Sequence, residues 1–359
     1  MERHMTRRGA VITIASALAS ALAALAAGAA PFSGGGTLPV EGRAAGFDGA
    51  STWLNSAPLG ARQLRGKVVL VDFWTYSCIN CIRTVPYVRA WARKYRDQGL
   101  VVVGVHTPEF AFEQELANVN AALARFGIDF PVAVDSSQRI WRAWGNRFWP
   151  ALYLVDAEGR IRHHQFGEGE YDRMERAIQA LLAETRGAPL ADMGLVDPRA
   201  GAEQMAPDLG RLESEETYLG YDKAVHFRSP ERLREDGTQQ YSVGGLDLNE
   251  WGLSGRWTVG AESIRADEGG AAIACRFGAR DLHLVAGPGQ AGRKVRIRVT
   301  LDGRPPGADH GSDIDADGNG TVDATRLYQL VRQGGTVRRR RAEIRFLDAG
   351  ARAYAFTFG

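Results

Sequence analysis

Along residues 67–166 the apolar positions alternate between short unbroken runs and a recurrence every three or four places. Residues 67–74 and 100–105 are continuous apolar runs, the pattern of strands buried on both faces of a sheet. After each run the period changes. Val85, Val88, Ala92 and Tyr95 predict a helix that Gly99 stops. Phe112, Leu116, Val119, Leu123 and Phe126 predict a second amphipathic helix, ended by Gly127. Residues 47–59 read as a short hairpin or edge strand, 130–134 as a strand and 138–144 as a short helix. Residues 151–155 and 160–166 form a hairpin around Asp156-Ala-Glu-Gly159. A last helix is expected over 171–186, with Met174, Ile178 and Leu181 on one face. Strands alternating with helices predict an α/β domain with helices on both faces of a central sheet.

Residues 187–210 are rich in Pro, Gly, Ala and Asp, have weak periodicity, and read as a linker. Beyond it the period becomes two. Ile273, Cys275 and Phe277 alternate with polar or small residues, as do Val295, Ile297, Val299 and Leu301, and later Ala342, Ile344 and Phe346. Short strands between Gly, Pro and Asp turns predict a β-sandwich.

Composition narrows the picture. A length of 359 residues suggests two domains at ~100–200 residues each. A net charge of +2 gives no case for nucleic acid. The chain has three cysteines, too few for a disulfide-stapled scaffold, yet two of them sit in one Cys-x-x-Cys. Residues 1–30 carry Arg3, Arg7 and Arg8, then an Ala-rich uncharged stretch ending in Ala27-Gly28-Ala29. This is the pattern of an export signal of Sec or, through Thr6-Arg7-Arg8, twin-arginine type, with an uncleaved membrane anchor as the alternative. Either way, most of the chain is expected outside the cytoplasm. Residues 31–46 read as a flexible tether.

Cys78 and Cys81 open the helical pattern that follows the 67–74 run, three positions apart and so on one face of its first turn. In disulfide exchange the thiolate is the nucleophile, and a free thiol with pKa ~8.5 is mostly protonated at pH 7. Unpaired N–H groups and the dipole at a helix N-terminus favour the thiolate of the first cysteine. Cys78 is therefore the expected attacking residue and Cys81 the resolving one. The alternatives are a structural disulfide or half of a zinc site, but zinc needs two more ligands and no second cysteine pair exists.

The residues around the pair resemble a known family. Leu70-Val-Asp72-Phe-Trp74 is similar to the active-site strand of thioredoxins, and Pro86 matches the proline in their active-site helix. The resemblance implies that Asp72, nine residues before Cys81, is a buried relay for the proton of the resolving cysteine. It also implies that Trp149-Pro150 is a cis-proline pair beside the cysteines, with Trp149 pairing to an extended substrate segment and Trp74 lining the same contact. Ile79-Asn80 replaces the Gly-Pro of thioredoxin. Trp-Thr-Tyr-Ser-Cys-Ile-Asn-Cys followed by Arg-Thr-Val-Pro resembles instead the exported, DipZ-type branch of the TlpA/ResA-like redoxins. Those carry a glutamate near the cysteines after the next strand, a place that Glu109 fits. Glu-Thr-Tyr-Leu-Gly-Tyr at 216–221, Trp257-Thr-Val-Gly, Leu301-Asp-Gly-Arg-Pro-Pro-Gly and the closing Ala-Tyr-Ala-Phe-Thr-Phe-Gly are similar to the C-terminal β-module of DipZ-like proteins, which looks like a carbohydrate-binding jelly roll. DipZ proteins also have a polytopic membrane electron conduit. This chain shows one signal or anchor segment, so a separate DsbD/CcdA-like membrane donor is expected.

Other motifs read blandly. His106 is expected as a strand-end histidine, His163 and His164 point to opposite sides of a strand, and Cys275 is a core residue. Asp315-Ala-Asp317-Gly-Asn319-Gly320-Thr321-Val322 copies the start of an EF-hand loop, but Arg326 stands where the bidentate glutamate belongs, which favours a polar turn over calcium. Arg338 to Arg341 reads as a solvated loop, with anionic wall polymer or lipid as the alternative.

The expectation is an α/β thioredoxin-like fold followed by an all-β, jelly-roll-like sandwich. Its parts are a signal or anchor (1–30), a tether (31–46), a thioredoxin-like domain (47–187), a linker (188–210) and a β-module (211–359). The expected function is an exported thiol-disulfide oxidoreductase that reduces disulfides of exported proteins, with Cys78, Cys81, Asp72 and Glu109 catalytic, Trp149, Pro150 and Trp74 at the substrate, and neither cofactor nor metal. The rivals are the same chemistry run as an oxidase or isomerase, and a glycan-binding protein with an accessory redoxin. A peroxidase is disfavoured by the resolving cysteine three residues from Cys78.

Overall fold

The central sheet is built from the two continuous apolar runs. In the computed structural model, which describes residues 37–198, 201 and 204–359, β3 (Val68–Trp74) and β4 (Leu100–His106) lie side by side and parallel. Around them are β1 (Gly42–Arg43), β2 (Thr52–Leu54), β5 (Val132–Val134), β6 (Ala151–Val155) and β7 (Arg160–Phe166), in the order β1-β7-β6-β3-β4-β5-β2. β4 and β5 are parallel, while β6, β7, β1 and β2 are antiparallel to their neighbours. All seven residues of β3 are buried, as a strand covered on both faces requires. Val69, Val71 and Phe73 face one way, into a cluster with Phe47 and Ile140. Leu70, Asp72 and Trp74 therefore face the other.

The helices are α1 (Ala61–Leu64), α2 (Ile79–Tyr95), α3 (Leu116–Phe126), α4 (Arg139–Ala143) and α5 (Tyr171–Arg186). α2 packs on β4 and α5 on β3. Two helical expectations change. Phe112 lies in a separate 3-10 turn, Ala111–Gln114, and Leu116, expected on the buried face, is 42% exposed at the first position of α3.

The described parts of the expected tether, 37–46, and of the expected linker carry fixed contacts that their composition did not suggest. Gly42 and Arg43 add β1 to the edge of β7. The carbonyl of Leu38 accepts two bonds from the buried Arg162 guanidinium, at 3.0 and 2.6 Å. Arg162 also pairs with Asp156 at 3.0 Å and Glu184 at 2.9 Å. In the linker, the backbone N–H of Val196 donates to the buried Glu175 at 2.8 Å, and Lys94 pairs with Asp192 at 3.4 Å. Polar anchors, invisible to hydrophobic periodicity, hold the described residues of both segments. The signal or anchor expected at 1–30 lies outside the described residues. Among the described residues, no helix is long and apolar enough to cross a membrane.

In the second half every strand-to-strand pairing is antiparallel among the described residues. Its strands are β8 (Thr217–Tyr218), β9 (Gly237–Tyr241), β10 (Trp251–Val259), β11 (Ile264–Ala266), β12 (Ala272–Gly278), β13 (Asp281–Gly287), β14 (Val295–Leu301), β15 (Asn319–Val322), β16 (Arg326–Arg332), β17 (Arg339–Phe346) and β18 (Arg352–Phe358). The path β15-β14-β17-β12-β10-β11-β18-β13-β16 is a single curled sheet. β10 makes the fold-over: residues 251–254 pair with β12 and residues 257–259 with β11. Gly255 between them has φ +88°, a conformation that side chains disfavour, and a Cβ there would meet Ala271 Cα at 2.9 Å. Ile273, Cys275 and Phe277 from one half share a core with Leu282, Leu284 and Phe356 from the other. Three of the four arginines, Arg339 to Arg341, open β17 rather than a loop, and Arg339 pairs with Glu213 at 2.7 Å and Arg340 with Asp302 at 2.5 Å. The Asp315 carboxylate closes a turn by accepting the Asn319 N–H at 2.7 Å. Residues 38–359 form one compact unit.

Arg162→Met removes a buried cation that joins three segments, and should cost about 3 kcal/mol of unfolding free energy. Urea denaturation would measure the loss, and limited proteolysis should show faster cleavage within residues 38–45.

Candidate active site

The site grows from the end of β3. After Trp74 the chain turns through Thr75, Tyr76 and Ser77, all buried, and enters α2 with Cys78 as the N-cap residue. Cys78 is half-buried, and its sulfur accepts the Cys81 N–H at 3.3 Å. Cys81 is 1% exposed. Burial pushes its thiol well above the usual range, and the hydrogen bond with Cys78 adds to the rise. No disulfide joins the two; both are free thiols. Spacing alone could not show how unequal the two sulfurs are in exposure.

Asp72, on the same strand, is 2% exposed, and one of its carboxyl oxygens is buried without a hydrogen-bond partner. Burial raises its pKa from 3.8 to about 7. Its negative charge also contributes to the rise at Cys81, which places the two groups within electrostatic reach. A carboxyl that titrates near neutrality beside a thiol that holds its proton is the arrangement a proton relay needs.

The glutamate at the cysteine turn is not Glu109 but Glu113. Glu113 is fully buried; it accepts the Ser77 hydroxyl at 2.6 Å and the Ser77 N–H at 3.3 Å through one oxygen. The other oxygen accepts the N–H groups of Glu109 at 2.6 Å and Phe110 at 3.1 Å. Desolvation raises its pKa, and the hydrogen bonds from Ser77 oppose the rise. Glu109 points away from the cysteines and bonds the hydroxyl of Tyr218 and the ammonium of Lys223. The two glutamates stand four residues apart in Glu109-Phe-Ala-Phe-Glu113, and the sequence offered no way to choose between them. The short 3-10 turn decides it, because it brings Glu113 back under the loop.

Trp74 is corrected as well. It is 1% exposed, with its ring edge-on to His106 at 5.2 Å, and has no surface to offer a substrate. His106 is fully buried and lowered to about 3 by desolvation, so it is neutral. It stacks on Tyr76 at 5.7 Å, and Tyr76 donates its hydroxyl to the Phe112 carbonyl at 3.3 Å. Sequence reasoning gave Tyr76, Ser77, His106 and Glu113 no part in the site. The bond Trp149–Pro150 is cis. Trp149 is half-buried, packs on Trp141 at 4.1 Å and donates its indole N–H to the Thr107 carbonyl at 3.1 Å. The strand-edge histidines separate as expected: His163 is buried and lowered to about 4 by desolvation, while His164 is exposed and raised by Glu41 at 2.6 Å. Cys275 is buried in the β-module core, its thiol pushed up to about 12.

Residues 47–182 match the Redoxin family, and residues 214–359 match the family described as Thioredoxin like C-terminal domain. DipZ of Mycobacterium tuberculosis (strain CDC 1551 / Oshkosh) is 38% identical over 269 residues, covering 74% of this chain and 37% of DipZ. The chain thus spans little more than a third of the length of that relative. The thiol-disulfide oxidoreductase YkuV of Bacillus subtilis (strain 168) is 33% identical over 137 residues, which are 38% of this chain and 92% of YkuV. Among solved structures, a thiol-disulfide isomerase from Corynebacterium glutamicum is 27% identical with a TM-score of 0.35, covering 41% of this chain and 97% of that one. The chain belongs to the redoxin family of thioredoxin-like thiol-disulfide oxidoreductases, with a thioredoxin-like C-terminal domain behind the redoxin.

Proposed function

We propose that this protein is an extracytoplasmic thiol-disulfide oxidoreductase that reduces disulfides in exported proteins. The observation that carries the reading is the asymmetry of the pair: Cys78 half-exposed at a helix N-terminus, Cys81 buried with a raised thiol, and Asp72 near neutrality on the adjoining strand. The export-like pattern of residues 1–30 supports the location.

In the proposed reaction the Cys78 thiolate attacks one sulfur of a substrate disulfide. The substrate S–S bond breaks, a mixed disulfide forms, and one substrate thiolate leaves and takes up a proton. Asp72 then accepts the Cys81 proton. The Cys81 thiolate attacks the Cys78 sulfur, the mixed disulfide breaks, and the second substrate sulfur leaves as a thiolate that takes up a proton. The protein is left with a Cys78–Cys81 disulfide, and two electrons have passed to the substrate. Restoring the dithiol needs a reductant, for which a DsbD/CcdA-like membrane dithiol donor is proposed. Trp149 and Pro150 are proposed to border the substrate segment. A sugar-stacking role for the β-module finds less support, since among the described residues its aromatic side chains are buried or half-buried.

Cys78→Ser should abolish reduction of insulin by the full chain, whereas Cys81→Ser should accumulate a mixed disulfide visible by mass spectrometry. If wild type neither reduces insulin or glutathione disulfide nor, as its own disulfide, oxidises a dithiol peptide, the reading fails.

Asp72 gives a pH signature. Its folded pKa of about 7 lies above the ordinary 3.8, so the folded state holds a proton that the unfolded state releases between these values. Stability therefore falls as pH rises from about 4 to 7, by up to about 4 kcal/mol. Asp72→Asn should stabilise the protein by about 2 to 4 kcal/mol at pH 8 and by little at pH 4, measured by urea denaturation. The resolving step should rise with pH through about 7 in wild type, and should be slowed roughly tenfold or more and flattened in Asp72→Asn.

A further inference from the structure

The short turn that presents Glu113 to Ser77 is held on its other side by the β-module. Tyr354, on β18, packs its ring against Phe112 at 4.6 Å and Phe110 at 5.5 Å. Phe112 in turn lies 6.0 Å from the ring of Tyr76, within the cysteine turn, and its carbonyl receives the Tyr76 hydroxyl. Glu262 accepts the backbone N–H of Ala111 at 3.0 Å, and Tyr218 bonds Glu109. Three parts of the β-module thus converge on four consecutive residues, 109–112, directly before Glu113. A second contact reaches α2 itself. Arg83, two residues past Cys81 and buried, pairs with Glu168 at 3.1 Å and faces Asp281 of β13 at 3.8 Å.

We propose that the β-module is a positioning part of the redox centre, acting chiefly through Tyr354. The ring fixes Phe110 and Phe112, these fix the turn, and from the turn Glu113 holds Ser77 and so the entry of Cys78 into α2. The inference rests on the reading of Cys78 and Cys81 as the exchanging pair. Its physical basis is that Glu113 is buried and bonded on both oxygens, so the turn and the cysteine loop move as one body. The 3.3 Å contact from the Cys81 N–H to the Cys78 sulfur depends on where that body sits. Such a contact stabilises a thiolate and with it the dithiol form. Loosening the turn therefore disfavours the reduced state, moving the couple to a more negative potential and slowing attack by Cys78.

The test uses the full chain equilibrated with reduced and oxidised glutathione, and in parallel the single-turnover rate with a small aromatic disulfide. Tyr354→Ala should change the dithiol-disulfide equilibrium constant at least threefold toward the disulfide, about 14 mV more negative, and slow the first attack at least threefold. Tyr354→Phe, which keeps the ring, should restore wild-type values. Glu262→Ala removes an exposed carboxylate without opening the core, and should shift both readouts in the same direction. It decides the matter if Tyr354→Ala does not fold. Wild-type values in both readouts for folded Tyr354→Ala, or for Glu262→Ala alone should the alanine variant at 354 not fold, overturn the proposal. So does a Tyr354→Phe variant as altered as Tyr354→Ala. Wild type is measured in the same experiment, so a failure of disulfide exchange itself is seen separately and falls on the reading of the pair.

Discussion

A turn that enters a protein interior must find acceptors for its own polar groups, and at Ser77, in the turn between β3 and α2, one carboxylate meets this demand for both the N–H and the hydroxyl. Thr75, Tyr76 and Ser77 are buried although they are loop residues. Glu113 accepts both the Ser77 N–H and the Ser77 hydroxyl, and uses its second oxygen on the backbone of its own turn. A buried carboxylate left unbonded would be strongly unfavourable, so four donors to one group bind two segments into one rigid unit. The position of Cys78 at the head of α2, its contact with the Cys81 N–H and the stacking of Tyr76 on His106 all depend on that unit.

Burial then does the chemical sorting. Two thiols one helical turn apart have the same intrinsic chemistry, yet one reaches solvent and the other is sealed beneath it. Desolvation raises the Cys81 thiol and also raises Asp72, so the proton donor and acceptor of the proposed reaction are shifted by the same cause. The burial that suits Asp72 to the proposed relay also destabilises the fold at neutral pH, as is common where a residue is kept for function rather than stability.

Hydrophobic periodicity made most of the fold legible. The bounds of α5 and of the β6–β7 hairpin agree with it residue for residue, because both rest on strong periods with clear stops. What it could not show was carried by polar anchors. Arg162 turns an apparent tether into an edge strand, and Glu175 pins an apparent linker. The arginine run at the start of β17 is largely exposed, as expected, but it read as a loop because its acidic partners, Glu213 and Asp302, are remote in sequence. At the site, the cysteines and Asp72 were legible through motif and spacing. Glu113 was not, since its choice over Glu109 rests on a 3-10 turn of four residues, Ala111–Gln114, and Trp74 was misplaced because an aromatic beside a cysteine motif fits a buried wedge as well as a surface contact.

The central claim is that the fold makes Cys78 the reacting sulfur and keeps Cys81 and Cys275 out of reach. Timed alkylation of the fully reduced native chain at pH 7, read by peptide mass spectrometry, tests it most directly. Cys78 should be modified at least tenfold faster than either of the others, which should react only as the protein opens. Equal rates at Cys78 and Cys81, or earlier modification of Cys81, would contradict the account.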